Sequence, residues 1–235
     1  MRTALCMYGK IGGSRGKDGY GDPIDFGKCF LTIKKHIIDI NNCDVFIHNW
    51  NPELKDTLIE MYQPKDYIIE PQIRFKTTKK YFKERRDEFI GQSRWYSNKQ
   101  TLTLKRKYEF KNKFNYDWVM VCRFDLLFFT DYDFSKLDSS FLYASNFNNW
   151  KPPNKENDTI KKRRLLDMWF IGPTRLMDVI STLYDKFYQY PVTDPHRAIW
   201  EHLGACIGDP LKITRFKFYR WFDYELYRIK HGSRL

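Results

Sequence analysis

Within Cys122-Arg123-Phe124-Asp125, opposite charges stand two residues apart, in the most apolar stretch of the chain, YDWVMVCRFDLLFF over residues 116–129. Side chains alternate across a strand, so Arg123 and Asp125 project to the same side. Lone charges are costly in an apolar interior unless they pair or reach a rim, and in open α/β sheets ligands bind beyond the carboxyl ends of the strands. Two readings stand side by side: the charges face a polar ligand at the rim of a sheet, or they neutralise one another and close the strand.

The second chemical feature is GKIGGSRGK over residues 9–17, which follows the apolar run ALCMY. Glycines after a strand let backbone N–H groups approach a phosphate, while Arg15 and the flanking lysines neutralise it. The spacing from Gly12 to Lys17 is one residue short of a P-loop, and Asp18 stands where a P-loop has Ser or Thr. GxGxxG spacing is absent too, which argues against dinucleotide-type cofactors. An ordinary surface loop is the competing reading.

The elements that must carry these residues alternate along the chain. Residues 4–8 read as a buried strand, and apolar positions at Phe30, Ile33, Ile37 and Ile40 predict a helix closed by Asn41-Asn42. DVFIHNW then predicts a second strand, which makes the start of a βαβ unit. A third strand is expected at residues 67–70, an exposed charged segment at 79–88, and a long helix from a capping Ser93 to about residue 113. Residues 116–129 suit the middle of a doubly covered sheet. Beyond them come a polar loop at 150–164, a strand at 166–172, helices at 174–187 and 195–206, and a basic strand at 211–219. The expected architecture is one α/β domain over residues 1–235, with a central, mostly parallel sheet flanked by helices.

A chain of 235 residues with 42% hydrophobic and 18% aromatic content can bury a full core and is not of disordered type. Its 41 Lys and Arg against 29 Asp and Glu leave +12, a field that attracts anionic partners such as nucleic acid, an anionic membrane face or a nucleotide-linked sugar. The five cysteines are scattered without CxxC spacing, so neither a disulfide framework nor a zinc site is expected and a reducing compartment fits. The first residues carry only a short apolar run and no stretch of 18 apolar residues occurs, so the expected location is the cytoplasm, or a host's cytoplasm.

ALCMYGK with Arg15 after it, then DVFIHNW, RWYSNKQTLTLKRKYE, YDWVMVCRFDLLF and DMWFIG, in that order, resemble a family of small GT-A-like glycosyltransferases found in polysaccharide-synthesis clusters and large DNA viruses. The resemblance runs from Ala4 to about Gly208. It implies a GT-A fold and transfer of a sugar from a UDP- or GDP-linked donor to a hydroxyl of a glycan or glycoprotein. It puts Asp125 in the place of the last Asp of a DxD, which holds Mn²⁺ or Mg²⁺ against the diphosphate, with Arg123 where the first Asp would be. Either the metal or the guanidinium could then neutralise the leaving diphosphate, and the expected arrangement has both acting together. It places Gly9, Arg15 and Arg123 on the donor, and His48 and Trp50 at the nucleobase, where Trp50 could stack or simply fill the core.

Trp95 and Ser97, expected to open the long helix, would offer its positive end to a phosphate or sugar hydroxyl, or serve as core aromatic and cap. Asp167 and Glu201 are the two candidates for the base of an inverting transfer, and a surface or capping carboxylate is the alternative for each. The aromatic and basic residues after Arg215 could rest on a membrane surface. From other classes, a basic nucleic-acid-binding protein fits the charge although no such module is legible, and an inactive GT-A scaffold remains an alternative.

Overall fold

The computed structural model describes residues 1–11, 25–145, 163–190, 194–220 and 222–227. Arg15 and most of the 150–164 loop lie outside these residues. Nine strands are described: β1 (Thr3–Gly9), β2 (Asp44–Asn49), β3 (Asp66–Ile69), β4 (Trp118–Arg123), β5 (Leu126–Phe128), β6 (Leu142–Ser145), β7 (Leu166–Pro173), β8 (Thr214–Arg215) and β9 (Tyr224–Leu226). Seven form one sheet in the order β3-β2-β1-β4-β7-β6-β8, while β5 and β9 pair separately. The pairs β1–β2, β1–β4, β2–β3 and β6–β8 are parallel, and β7 runs antiparallel to both β4 and β6.

Alternation along the central strands explains their continuous apolar sequence. In β1, Leu5 and Met7 face one core with Val45, Ile47, Met120 and Cys122, whereas Ala4, Cys6 and Tyr8 face another with Phe46, Val119 and Val121. Both faces are covered, so a strand without polar residues is what the position requires. On the first side lies α1 (Phe26–Ile33), extended by a π-helical turn (Lys34–Ile38) and α2 (Asp39–Asn41). The wide turn carries the buried row Cys29, Ile33, Ile37 on to Asn41 and leaves Ile40 exposed. Asn41 then ties three segments together, donating to the carbonyls of Ile37 (2.9 Å) and Tyr132 (2.8 Å) and accepting from the Phe134 N–H (2.8 Å).

The helix α3 (Lys55–Tyr62) precedes β3, and the opposite face is crossed by α4 (Phe82–Asn112), 31 residues long. The buried side of α4 is largely polar: Glu88, Gln92, Ser97, Asn98, Thr101, Lys105 and Glu109 are all buried. Each has work in the fold. Glu88 accepts from the Thr78 N–H (2.8 Å), Thr101 donates to the Phe46 carbonyl (3.1 Å), and the Lys105 ammonium meets Glu109 (2.9 Å), Asp178 (3.0 Å) and Thr174 (2.5 Å). Asp178 and Thr174 belong to α5 (Thr174–Ser181), which is followed by α6 (Leu183–Lys186), α7 (Pro195–Ile207) and α8 (Pro210–Ile213).

Several expectations change. The long helix starts 11 residues before Ser93, inside the segment expected to be an exposed charged stretch, because its buried row is made of hydrogen-bonded polar groups that no apolar period reveals. The apolar run 116–129 is two strands, broken after Arg123, with β5 leaving the main sheet for β9. The basic strand expected at 211–219 is instead the capped turn α8, with Asp209 accepting from the Leu211 N–H at 3.0 Å, and then two residues of β8. Among the described residues no disulfide joins the cysteines. Among the described residues no helix is long and apolar enough to cross a membrane.

Candidate functional site

Parallel strands β1, β2 and β4 end together at Gly9, Asn49 and Arg123, and antiparallel β7 begins at the same edge. Gly9 leaves the sheet at φ +99°, a conformation that a Cβ disfavours. A side chain there would meet nothing within 4 Å, so the requirement is conformational and not one of space. Two asparagines clamp the exit: Asn49 donates to the Gly9 carbonyl (2.8 Å), and Asn51 accepts from the Ile11 N–H (2.9 Å). Asn49 in turn accepts from the Asn51 N–H at 2.7 Å.

Tyr8 is in register with both His48 and Arg123, so the three side chains form one row on the face covered by α4. Arg123 donates Nε to Asp125 Oδ1 (2.8 Å) and Nη2 to Oδ2 (2.6 Å), and turns Nη1 toward the Met168 sulfur (3.2 Å). Both residues are buried. The mutual-neutralisation reading therefore describes the local geometry. A divalent ion does not fit this donor set: both Asp125 oxygens accept from a guanidinium, and a second cation would sit beside the first. Among the described residues no group of three His, Cys, Asp or Glu side chains could hold a metal.

The neighbouring cluster contains Asp167. Its carboxylate, fully buried, pairs with Arg94 of α4, and its Oδ1 lies 3.1 Å from His196 Nδ1 at the start of α7. The Tyr8 hydroxyl donates to the Asp167 carbonyl (2.7 Å), and His196 Nδ1 also lies 3.1 Å from the Leu165 carbonyl. Burial, and then the charge of Arg94, push the His196 imidazole down to about 4. Burial raises the Tyr8 phenol, while the charges of Arg94 and Arg123 both act the other way.

His48 and Trp50 are both enclosed by protein partners, the second of the two readings open for Trp50. His48 is wholly buried between Ser97 Oγ (2.6 Å from Nδ1) and Glu70 Oε1 (3.0 Å from Nε2). Glu70 only accepts, so Nε2 carries the proton and Ser97 donates to Nδ1. Burial pushes the imidazole below its ordinary value even though Glu70 opposes the shift. Trp50 is 3% exposed and stacks on Tyr96 with ring centroids 5.4 Å apart. It is core packing, and its face is covered by protein.

Trp95 and Ser97 lie in the middle of α4, not at its start, so no helix N-terminus stands behind them. Trp95 is buried in the core shared by α4 and the sheet. Glu201 sits farther along α7, near Tyr190, whose phenol it helps to raise, and is not drawn into the Asp167 cluster. Arg123, Asp125 and Asp167 are brought together at the edge where Gly9 leaves β1.

Sequence reasoning missed Arg94, His196, Tyr8, Asn49 and Asn51. Two signals were available. HNWN alternates amides about a strand end, and Asp194-Pro195 is a helix-start signature that sets His196 in the first turn.

Neither a family model nor a curated protein matches the chain. Among solved structures it is similar to one described as a glycosyltransferase involved in the glycosylation of the major capsid of PBCV-1, at 6% identity and a TM-score of 0.43 over 92% of this chain and 82% of that one. A likeness of that size leaves both fold type and reaction to be argued from the chain itself.

Proposed function

We propose that the protein is a glycosyltransferase of the GT-A type, transferring a sugar from a UDP- or GDP-linked donor to a hydroxyl of a glycan or glycoprotein. The observation that carries this reading is the convergence, at the carboxyl ends of β1, β2 and β4, of the Gly9 exit, the Arg123–Asp125 pair and the Arg94–Asp167–His196 cluster. It is the edge at which open α/β sheets take ligands. The order of sequence motifs supports the same reading.

In this reading the diphosphate lies against the strand end at Gly9, with the guanidinium groups of Arg94 and Arg123, each held by a buried carboxylate, fixed beneath it. Preorganised dipoles and donors fixed where a diphosphate departs stabilise the transition state. This arrangement needs no Asp125-bound ion. Thermal-shift titration with UDP- and GDP-linked sugars tests the proposal, because a ligand that binds only the folded chain raises its melting temperature. A raised melting temperature with at least one donor is expected, and no shift across the panel contradicts the reading.

A further inference from the structure

We propose that His196 is the general base of the transfer, with Asp167 as its positioning residue; this rests on reading the strand-end site as a sugar-transfer centre. Asp167 is badly placed to take a proton from an acceptor itself. Its side chain is fully buried and its oxygens face Arg94 and His196, so an acceptor hydroxyl would have to displace a guanidinium to reach it. His196 is the most exposed member of the cluster, its side chain 24% exposed against 15% for Arg94 and none for Asp167.

Local geometry sets the tautomer. Nδ1 lies 3.1 Å from the Leu165 carbonyl and 3.1 Å from Asp167 Oδ1, and the Asp167 N–H points at it from 3.4 Å; the two shorter approaches are to oxygens that can only accept, so the proton is placed on Nδ1 and the lone pair on Nε2. The helix start fixes the ring from the other side, where Asp194 accepts from the His196 N–H at 2.9 Å. The charged groups acting on the imidazole are Arg94 from α4, Arg164 ahead of β7, Asp167 on β7 and Asp194 at the cap of α7. Without ligand, burial and the arginines keep it neutral, which is the form a base needs. A bound diphosphate adds negative charge and favours the imidazolium that the reaction forms.

The acceptor oxygen attacks the anomeric carbon and forms the new C–O bond, while the bond from that carbon to the diphosphate oxygen breaks and its electron pair leaves with the nucleoside diphosphate. The acceptor proton passes to His196 Nε2, the imidazolium is balanced by Asp167, and the proton then returns to water.

The test follows nucleoside diphosphate release from UDP- and GDP-linked hexoses by the full chain, with water as acceptor, and donor affinity by calorimetry. His196→Gln is expected to lose about 10²- to 10⁴-fold in rate with donor affinity unchanged. His196→Ala is expected to regain part of the rate with added imidazole, which separates lost chemistry from lost folding. Asp167→Asn is expected to shift the acid limb of the pH–rate profile. Release by His196→Gln at the wild-type rate overturns the assignment while leaving the transfer reading intact. Absence of release by the wild type from every donor overturns both.

Discussion

The guanidinium of Arg123 grips both carboxylate oxygens of Asp125, at 2.8 and 2.6 Å, two residues along the same chain and out of reach of water. The pair sits where β4 ends and the backbone turns toward β5, and the Asp125 carbonyl accepts from the Tyr227 N–H at 2.9 Å. It therefore joins the last strand of the parallel set to the small β5–β9 ribbon. A position that the sequence marks as the rim of a site is also a fastening of the fold.

Asp125→Asn should accordingly destabilise the protein. Removing one partner of a buried ion pair leaves the other charge uncompensated and typically costs about 3–5 kcal/mol. Chemical denaturation of Asp125→Asn, Arg123→Met and the double variant checks this. The expected result is a large coupling energy, with the double variant less destabilised than the two single losses added together. A single-variant cost within about 0.5 kcal/mol, as at ordinary surface positions, would contradict the structural role.

Acid should weaken the fold through its histidines. Burial pushes His48 and His202 below their ordinary value and His196 down to about 4. In the unfolded chain the same groups take up protons near about pH 6.5. The unfolded state thus binds more protons in between, and stability that is complete above that pH falls as the pH drops toward about 4. Melting temperature measured across this range should decline on acidification, and His48→Gln should flatten the slope. A flat profile for the wild type would contradict the neutral buried state of these rings.

Gly9 makes a separate test of the strand end. At φ +99° with open space around the missing Cβ, Gly9→Ala costs backbone strain alone, on the order of 1–3 kcal/mol. Loss of donor affinity beyond that loss of stability is expected, since Gly9 and Ile11 are the strand-end residues that Asn49 and Asn51 clamp at the proposed site. Calorimetry on Gly9→Ala with unchanged affinity would remove Gly9 from the site.

Much of the scaffold was legible because it obeys simple periods. The runs ALCMY, DVFIHNW and DMWFIG are buried on both faces and appear as strands β1, β2 and β7 close to where the sequence puts them. The start of α4 was hidden because its inner face is built from Glu88, Gln92, Ser97 and Thr101, polar residues satisfied only by partners far away in sequence. Strands β8 and β9 are two and three residues long, too short for a period of two to show. At the site, Arg123, Asp125 and Asp167 stood out as charges in apolar runs. His48 and Trp50 stood out too, but tertiary packing consumed them, and Arg94 and His196 could be joined to Asp167 only once α4 and α7 were laid against β7.

On the proposed function, a nucleotide-linked sugar binds at the carboxyl ends of the parallel strands. The most direct test of this binding is an amide NMR titration of the full chain with UDP- and GDP-linked sugars. The expected result is saturable shifts, at donor concentrations below about a millimolar (a free energy of roughly −4 kcal/mol or better), confined to Gly9, Ile11, Asn49, Asn51, Arg123 and His196. No saturable shift with any donor, or shifts that leave these amides unmoved, would contradict it.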